Sequence, residues 1–339
     1  MILVLSALPT DVRKGYAFPA HLTSFLRLGL RRRNRELCGE RVGKAKPVRT
    51  STGVAQNLWP IVLFLLMFSA SALSQAIPEK TAIVFGAKIF YVEFGDAAKP
   101  TVVLLHGLGG SSANWTANTA ALSQNYHVIA LDQIGFGKSD KPLLKYRVGT
   151  YVDFLDKFMS ELKIEKASLV GNSMGGWVAG LMAIKYPKRV EKIVLADAAG
   201  IMPPSINDAD LYQLNNSTRD EIRANLKRIF ANPFLQNNEA LVDQFMTARV
   251  ASNDGYTINS LIESIKRKED FLNDHLNEIK QPTLIIWGKQ DGLLPLADAT
   301  TFNKGIAGSE LVIFDACGHV PQFEKAEDFN KTVLAFLAK

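Results

Sequence analysis

The stretch Ala167-Ser168-Leu169-Val170-Gly171-Asn172-Ser173-Met174-Gly175-Gly176-Trp177 decides the fold. A short apolar run leading into Gly171-Asn172-Ser173-Met174-Gly175 reads as a buried strand that turns at one serine straight into a helix. A turn that tight holds the serine in a strained backbone conformation. Side chains two positions before and after it would collide, so both positions call for glycine. The strain lifts the hydroxyl clear of the sheet. The helix that follows is expected from about Met174 to Tyr186, stopped by Pro187, and aims its N-terminus at whatever sits on Ser173. The Met174 amide is thereby a candidate donor to an oxyanion. A serine between two glycines is by itself a weak signal. Ala179, Gly180 and Ala183, which let the helix lie close on a sheet, strengthen it.

Upstream, alternation from Thr81 predicts a hairpin turning near Gly86-Ala87 into Lys88–Phe94. Thr101–Leu105 is a continuous apolar run, as a parallel strand covered on both faces requires. It ends in His106-Gly107-Leu108-Gly109-Gly110, where glycine lets backbone approach a ligand and the Leu108 amide is a second oxyanion candidate. His106 directly follows the strand and is expected to be a structural hydrogen-bonding group. His127–Asp132 is the next strand, with a glycine-marked turn in Gln133–Asp140, and a helix is expected around Tyr151–Leu162. Downstream, strands are expected at Lys192–Asp197, Pro282–Gly288 and Glu310–Phe314, and a closing helix at Ala326–Ala338. Strands alternating with helices imply a mainly parallel α/β sheet, whose ligands bind at its carboxyl edge.

Between about residues 200 and 280 the strand rhythm stops. Three amphipathic patterns replace it: one capped at Ser217/Thr218 with Ile222, Leu226, Ile229 and Phe230 on one face, one with Leu241, Val242, Phe245 and Met246, and one with Ile258, Leu261, Ile262 and Ile265. About 80 residues is far more than a crossover needs, so a helical cap over the carboxyl edge is expected.

Composition narrows the function. The 339 residues are 47% hydrophobic, enough for a substantial core, and the formal net charge is +6. Residues 1–76 hold 11 of the 39 Lys/Arg and 3 of the 33 Asp/Glu, leaving 28 and 30 for residues 77–339. The basic excess belongs to the N-terminal segment, so nucleic acid is not an expected partner. Cys38 and Cys317 form no zinc-ligand spacing. Residues 1–57 are arginine-rich without periodicity, and no fixed structure is expected there. Residues 58–76 join the apolar Trp59–Phe68 run to small residues, with cleavage sites at Ala72 or Ala76, in the order of a secretory signal. Export is the expectation, with membrane association through 58–76 if the segment stays uncleaved. The folded domain is expected at 77–339.

A serine hydroxyl needs a base, and the base needs an acid to fix its tautomer and stabilise the imidazolium. Ser173, Asp291 and His319 each follow an expected strand, so all three converge on one sheet edge in the order serine, acid, histidine. Asp197 also ends a strand, but it stands at the entrance to the cap and is expected only to cap or hinge it.

With these motifs in place, residues from about 81 to 339 resemble a cap-bearing α/β-hydrolase. The His106–Gly109 loop, Asp132–Ser139, the serine turn, Trp287-Gly288-Lys289-Gln290-Asp291 and Gly318-His319 stand in that family's order. The resemblance implies an eight-stranded, mostly parallel sheet flanked by helices, with the cap inserted after the sixth strand. It implies Ser173 as nucleophile, His319 as base, Asp291 as acid, the Leu108 and Met174 amides as oxyanion hole, and no metal or organic cofactor. Gly171–Gly176 and Asp328-Phe329-Asn330 are similar to hydrolases that cleave carbon–carbon bonds in ring-opened aromatic products. Those usually carry an aromatic residue after the catalytic histidine, where this chain has Val320, and a first loop richer in glycine and proline. Epoxide hydrolases and haloalkane dehalogenases use an aspartate where this chain has Ser173. The leading expectation is therefore a serine esterase, lipase-like, acting on a small hydrophobic carboxylic ester. Carbon–carbon hydrolysis, which would call on Arg219, Arg223 or Arg228 in the cap to meet a charged dienoate, is the alternative. Acyl transfer through the same acyl-enzyme and a non-catalytic small-ligand receptor are the others.

Overall fold

A computed structural model describes residues 79–205 and 207–339; the expectations for 1–57 and 58–76 lie outside the described residues. Eight strands form one sheet: β1 (Glu79–Val84), β2 (Ala87–Phe94), β3 (Thr101–Leu105), β4 (His127–Leu131), β5 (Ala167–Asn172), β6 (Val190–Ala196), β7 (Thr283–Gly288) and β8 (Glu310–Phe314). Their spatial order is β1-β2-β4-β3-β5-β6-β7-β8. Only β2 runs antiparallel to its neighbours, and every pair from β4 to β8 is parallel. The β1–β2 hairpin turns at Phe85-Gly86, both at positive φ, a backbone twist that matches the flanking strands.

Each central strand alternates its side chains between two apolar layers. Val103, Leu105, Ile129, Leu169, Ile193, Leu195, Ile285 and Trp287 face one layer. Val102, Leu104, Val128, Val170, Val194, Leu284 and Ile286 face the other. Both layers are dry, which is why these strands read as unbroken hydrophobic runs. The second layer is closed by α1 (Thr116–Leu122) and, at the chain's end, by Phe329, Val333 and Phe336. The first is closed by α2 (Val148–Glu161) and α3 (Met174–Lys185). α3 packs closely on its surroundings: a Cβ on Gly175 would meet the Leu105 carbonyl of β3, one on Gly176 would meet Ala198, and one on Gly180 would meet Leu272 at 2.8 Å.

Between β6 and β7 come α4 (Asp208–Tyr212), α5 (Arg219–Ile229), α6 (Pro233–Gln236), α7 (Glu239–Ser252) and α8 (Gly255–Lys266). The three amphipathic patterns became α5, α7 and α8; α4 and α6, each a turn or so long, carry too little periodicity to be read from sequence. α5 starts as expected, with Thr218 and Glu221 capping each other. Ile222, Leu226, Phe230, Leu235, Leu241 and Val242 form a small core of their own, against which Val320 and Phe323 pack. α8 instead puts Ile258, Leu261 and Ile262 into the main core. After β7 follow α9 (Leu296–Gly305), then, beyond β8, α10 (Pro321–Glu324) and α11 (Ala326–Leu337).

Candidate active site

Ser173 sits at the end of β5 with φ 56° and ψ −121°, a conformation few non-glycine residues adopt. The glycines around it have no room for a side chain. A Cβ on Gly171 would strike the Gly175 carbonyl, and one on Gly175 would strike the Leu105 carbonyl. The Ser173 amide donates to Ala196 O at 3.0 Å and its carbonyl accepts from Gly176 and Trp177, so the bend is fixed from both sides. Met174 opens α3, where amides have no acceptor within the helix and the helix dipole is positive. Opposite it, a Cβ on Gly107 would come within 3.1 Å of the Ser173 Cβ, so a side chain there would crowd the serine.

His319 and Asp291 come together from the loops after β8 and β7. Asp291 Oδ2 accepts from His319 Nδ1 at 2.7 Å, and both side chains are nearly inaccessible to solvent. A carboxylate on Nδ1 fixes the tautomer and leaves Nε2 as the acceptor a general base needs. Asp291 Oδ1 accepts from the amides of Leu293 at 2.7 Å and Leu294 at 3.1 Å. The base loop is itself held: Asn172 Nδ2 donates to His319 O and to Ala196 O, and the His319 amide donates to Ile229 O at 2.7 Å. Glu324 accepts from the amides of Gly318, Ala231 and Asn232, tying that loop to the end of α5; burial raises its carboxyl above the usual range. These supports were not visible in the sequence, because several of them join residues between 92 and 147 positions apart.

Ser173, His319, Leu108 and Met174 line one cavity of about 710 Å³. Its walls are mainly apolar: Trp177, Ile201, Leu211, Ile229, Phe230, Leu241, Phe245, Leu261, Ile265 and Phe271 belong to them. The expected inward faces of α5, α7 and α8 thus divide, some residues packing on one another and others facing the cavity. Of the three arginines expected to meet a charged substrate, Arg228 lines the cavity. Its Nε donates to Gly292 O and its Nη1 to Gln213 Oε1, both neutral acceptors. Arg219 and Arg223 are instead engaged with Glu239, Asp243 and Asp220. Asp298 also lines the cavity, and burial together with the Asp291 charge pushes its carboxyl up to about 6.

His106 takes the structural place expected of it. Its Nε2 accepts from the Gln133 amide at 3.0 Å, so Nδ1 carries the proton and donates to Gly107 O; full burial lowers its basicity. Asp132 holds the same loop by accepting from the amides of Ser112 and Lys138. Asp197, expected to cap a helix or to hinge the cap, does not cap a helix. It is completely buried beside the triad, with Oδ1 accepting from the Gly288 amide at 2.8 Å.

Residues 100–326 match the α/β-hydrolase fold family, and the chain belongs to it. The chain is 35% identical over 269 residues to a 2-hydroxy-6-oxononadienedioate/2-hydroxy-6-oxononatrienedioate hydrolase of Escherichia coli K12, spanning 74% of this chain and 92% of that protein. The enzyme of the same name from Paraburkholderia xenovorans LB400 is 35% identical over 266 residues, 74% of this chain and 91% of that one. Among solved structures, a meta-cleavage product hydrolase from Pseudomonas fluorescens IP01 superposes with a TM-score of 0.70 at 30% identity, covering 76% of this chain and 97% of that chain. A membrane phospholipase A described as a bacterial virulence factor superposes at 0.69 with 28% identity, covering 83% and 92%. The fold, the site and these likenesses define a hydrolase related to the meta-cleavage product hydrolases.

Proposed function

We propose that this hydrolase cleaves a carbon–carbon bond beside a ketone in a ring-opened aromatic dienoate, using Ser173, His319 and Asp291. The observation that carries the reading is Arg228, a cation on the wall of a mainly apolar cavity whose side-chain hydrogen bonds go to the neutral acceptors Gly292 O and Gln213 Oε1. It suits a substrate with a carboxylate, as the dienedioate in the relatives' name has. This displaces the ester expectation from first place. The departures at Val320 and in the first loop weigh less than 35% identity over nearly the whole of those relatives.

In this reading Ser173 adds to the ketone carbon while His319 Nε2 takes its proton, and the Leu108 and Met174 amides hold the resulting oxyanion. Collapse breaks the carbon–carbon bond. The electron pair leaves as a conjugated enolate, because the substrate's 2-enol has first become the 2-oxo form with its hydroxyl proton moved to C5, and the enolate takes the proton from His319. Water, deprotonated by the same imidazole, then releases the acid from Ser173 and restores the enzyme. Arg228 holds the substrate's carboxylate.

Ester hydrolysis is the second reading. It is supported by the apolar walls and by the likeness to the membrane phospholipase A. Steady-state kinetics separates the two: kcat/KM for a ring-opened 6-oxo dienoate should exceed that for p-nitrophenyl esters of every chain length, and the reverse order makes the protein an esterase. Failure of a fluorophosphonate to label Ser173 in the folded protein would point instead to a non-catalytic receptor. Export through residues 58–76 is proposed on the sequence alone; N-terminal sequencing of the native protein should begin just after Ala72 or Ala76, and a cytoplasmic form retaining Trp59 would refute it.

A further inference from the structure

Asp197 and Asp291 stand at the ends of adjacent strands, β6 and β7, the two strand ends that in this chain both carry an acid facing the base. One side-chain oxygen from each, and a ring nitrogen of His319, lie within 4.8 Å of one another. Asp197 is wholly buried and held at φ 42°, a left-handed conformation that Asp and Asn tolerate better than most residues. Its amide donates to Ile286 O and its Oδ1 accepts from Gly288, so the side chain is pinned in place. Its Oδ2 is buried, and no N–H or O–H group reaches it.

Two carboxylates this close, away from water, do not both stay ionised; the pair keeps one proton. Donor count decides where it sits. Asp291 accepts from Leu293, Leu294 and His319, whereas Asp197 accepts only from Gly288. The charged groups acting on Asp197 are the carboxyls of Asp291, after β7, and Glu324, on α10, and neither offsets a negative charge. Beside it from the base loop come the His319 ring and the Cys317 thiol, whose own acidity is suppressed by burial.

We propose that Asp197 is the protonated member of the pair, and that its Oδ2–H donates to Asp291 as a positioning residue for the triad acid. The hydrogen bond gives a partner to the one oxygen of this pair that lacks one and fixes the Asp291 carboxylate toward His319. It also holds the pair to a single negative charge, so that proton uptake by His319 forms one balanced ion pair. Burial and the neighbouring Asp291 charge both drive Asp197 toward this protonated form, well above the usual carboxylate range. The role as positioning residue rests on Asp291 being the triad acid, as proposed above; the protonation does not.

The test has two parts, both on the whole chain. Difference infrared spectra at pH 7 should show the carbonyl stretch of a buried carboxylic acid that disappears in Asp197→Asn; absence of such a band overturns the proposal whatever the substrate. The rate at which a fluorophosphonate phosphonylates Ser173, with fluoride leaving, reads the second part. Asp197→Ala should slow it roughly tenfold, and Asp197→Asn, which restores a donor at the same position, should recover most of that loss. In an Asp291→Asn background the alanine substitution should cost almost nothing further, since its effect passes through Asp291. Equal losses in the Asn and Ala variants, or additive losses in the double variant, overturn the positioning role. No labelling of wild-type protein, with the infrared band present, defeats the triad reading and leaves the protonated carboxyl standing.

Discussion

Asn172 Nδ2 donates to the main-chain carbonyl of His319 at 3.0 Å, joining the residue before Ser173 to the residue proposed to activate it. The same nitrogen donates to Ala196 O, so one buried amide locks β5, β6 and the base loop. Asn172→Ala leaves two buried carbonyls without this donor and should destabilise the fold by about 1–3 kcal/mol. Because His319 loses a support, kcat should fall more than KM changes. Denaturant unfolding and steady-state kinetics on the same preparation check both.

Asp291→Asn keeps the shape of the acid but reverses the hydrogen-bond preference at His319 Nδ1. Turnover should fall by up to about 10⁴-fold, by analogy with the same change in a serine protease triad. The cap contacts should survive, which an unchanged cooperative unfolding transition would show. Activity near wild type would remove Asp291 from the mechanism.

Arg228→Gln keeps donors for Gly292 and Gln213 but removes the charge. If Arg228 meets a carboxylate, losing a charge-assisted hydrogen bond of about 1.5–3 kcal/mol should raise KM for a dienoate roughly 10- to 100-fold. KM for a neutral p-nitrophenyl ester should move far less. Equal effects on both substrates would mean that Arg228 serves only to hold Gly292.

Asp298 titrates at about 6 rather than its ordinary 3.8, so it is neutral below pH 6 and becomes an anion on the cavity wall as pH rises through that value. An anionic substrate should therefore bind less well above pH 6, with KM rising across the transition, and Asp298→Asn should flatten the profile. A raised folded-state value also means stability present below the unfolded value and lost as pH rises through 6. Unfolding midpoints of the two proteins measured between pH 4 and 8 should converge at the acid end and separate above 6.

The sheet was readable because its information is local. Val102–Leu105 and Leu284–Trp287 are apolar on both faces, and Gly171 and Gly175 surround a serine that no ordinary turn would strain. The placing of Ser173, Asp291 and His319 was readable for a related reason: parallel strands bring their carboxyl ends to one edge, so the three gather there however far apart they lie in sequence. What carried no local signal was lateral support. Glu324 and Asn172 look like ordinary polar residues until the fold places them under three amides and two carbonyls. Asp197 was misread for the same cause, since a strand-end aspartate at the start of an insertion looks like a helix cap unless its neighbour across the sheet is known. Which arginine of α5 lines the cavity was the least legible feature of the site. Arg219, Arg223 and Arg228 differ there only by position on a helix whose axis the sequence does not orient.

The end of α5 is bonded to both triad loops: Arg228 to Gly292 through main chain and side chain, Ile229 to His319, and the amides of Ala231 and Asn232 to the carboxylate that also holds Gly318. The roof of the cavity and the loops that carry Asp291 and His319 should therefore open together. In native-state hydrogen exchange the amides of Gly292, Gly318, His319, Ala231 and Asn232 should behave as one cooperative unit, exchanging through a shared opening rather than fraying separately. A variant lacking the inserted helices would not be an uncovered enzyme, but a sheet with Ser173 still poised and its two partners adrift.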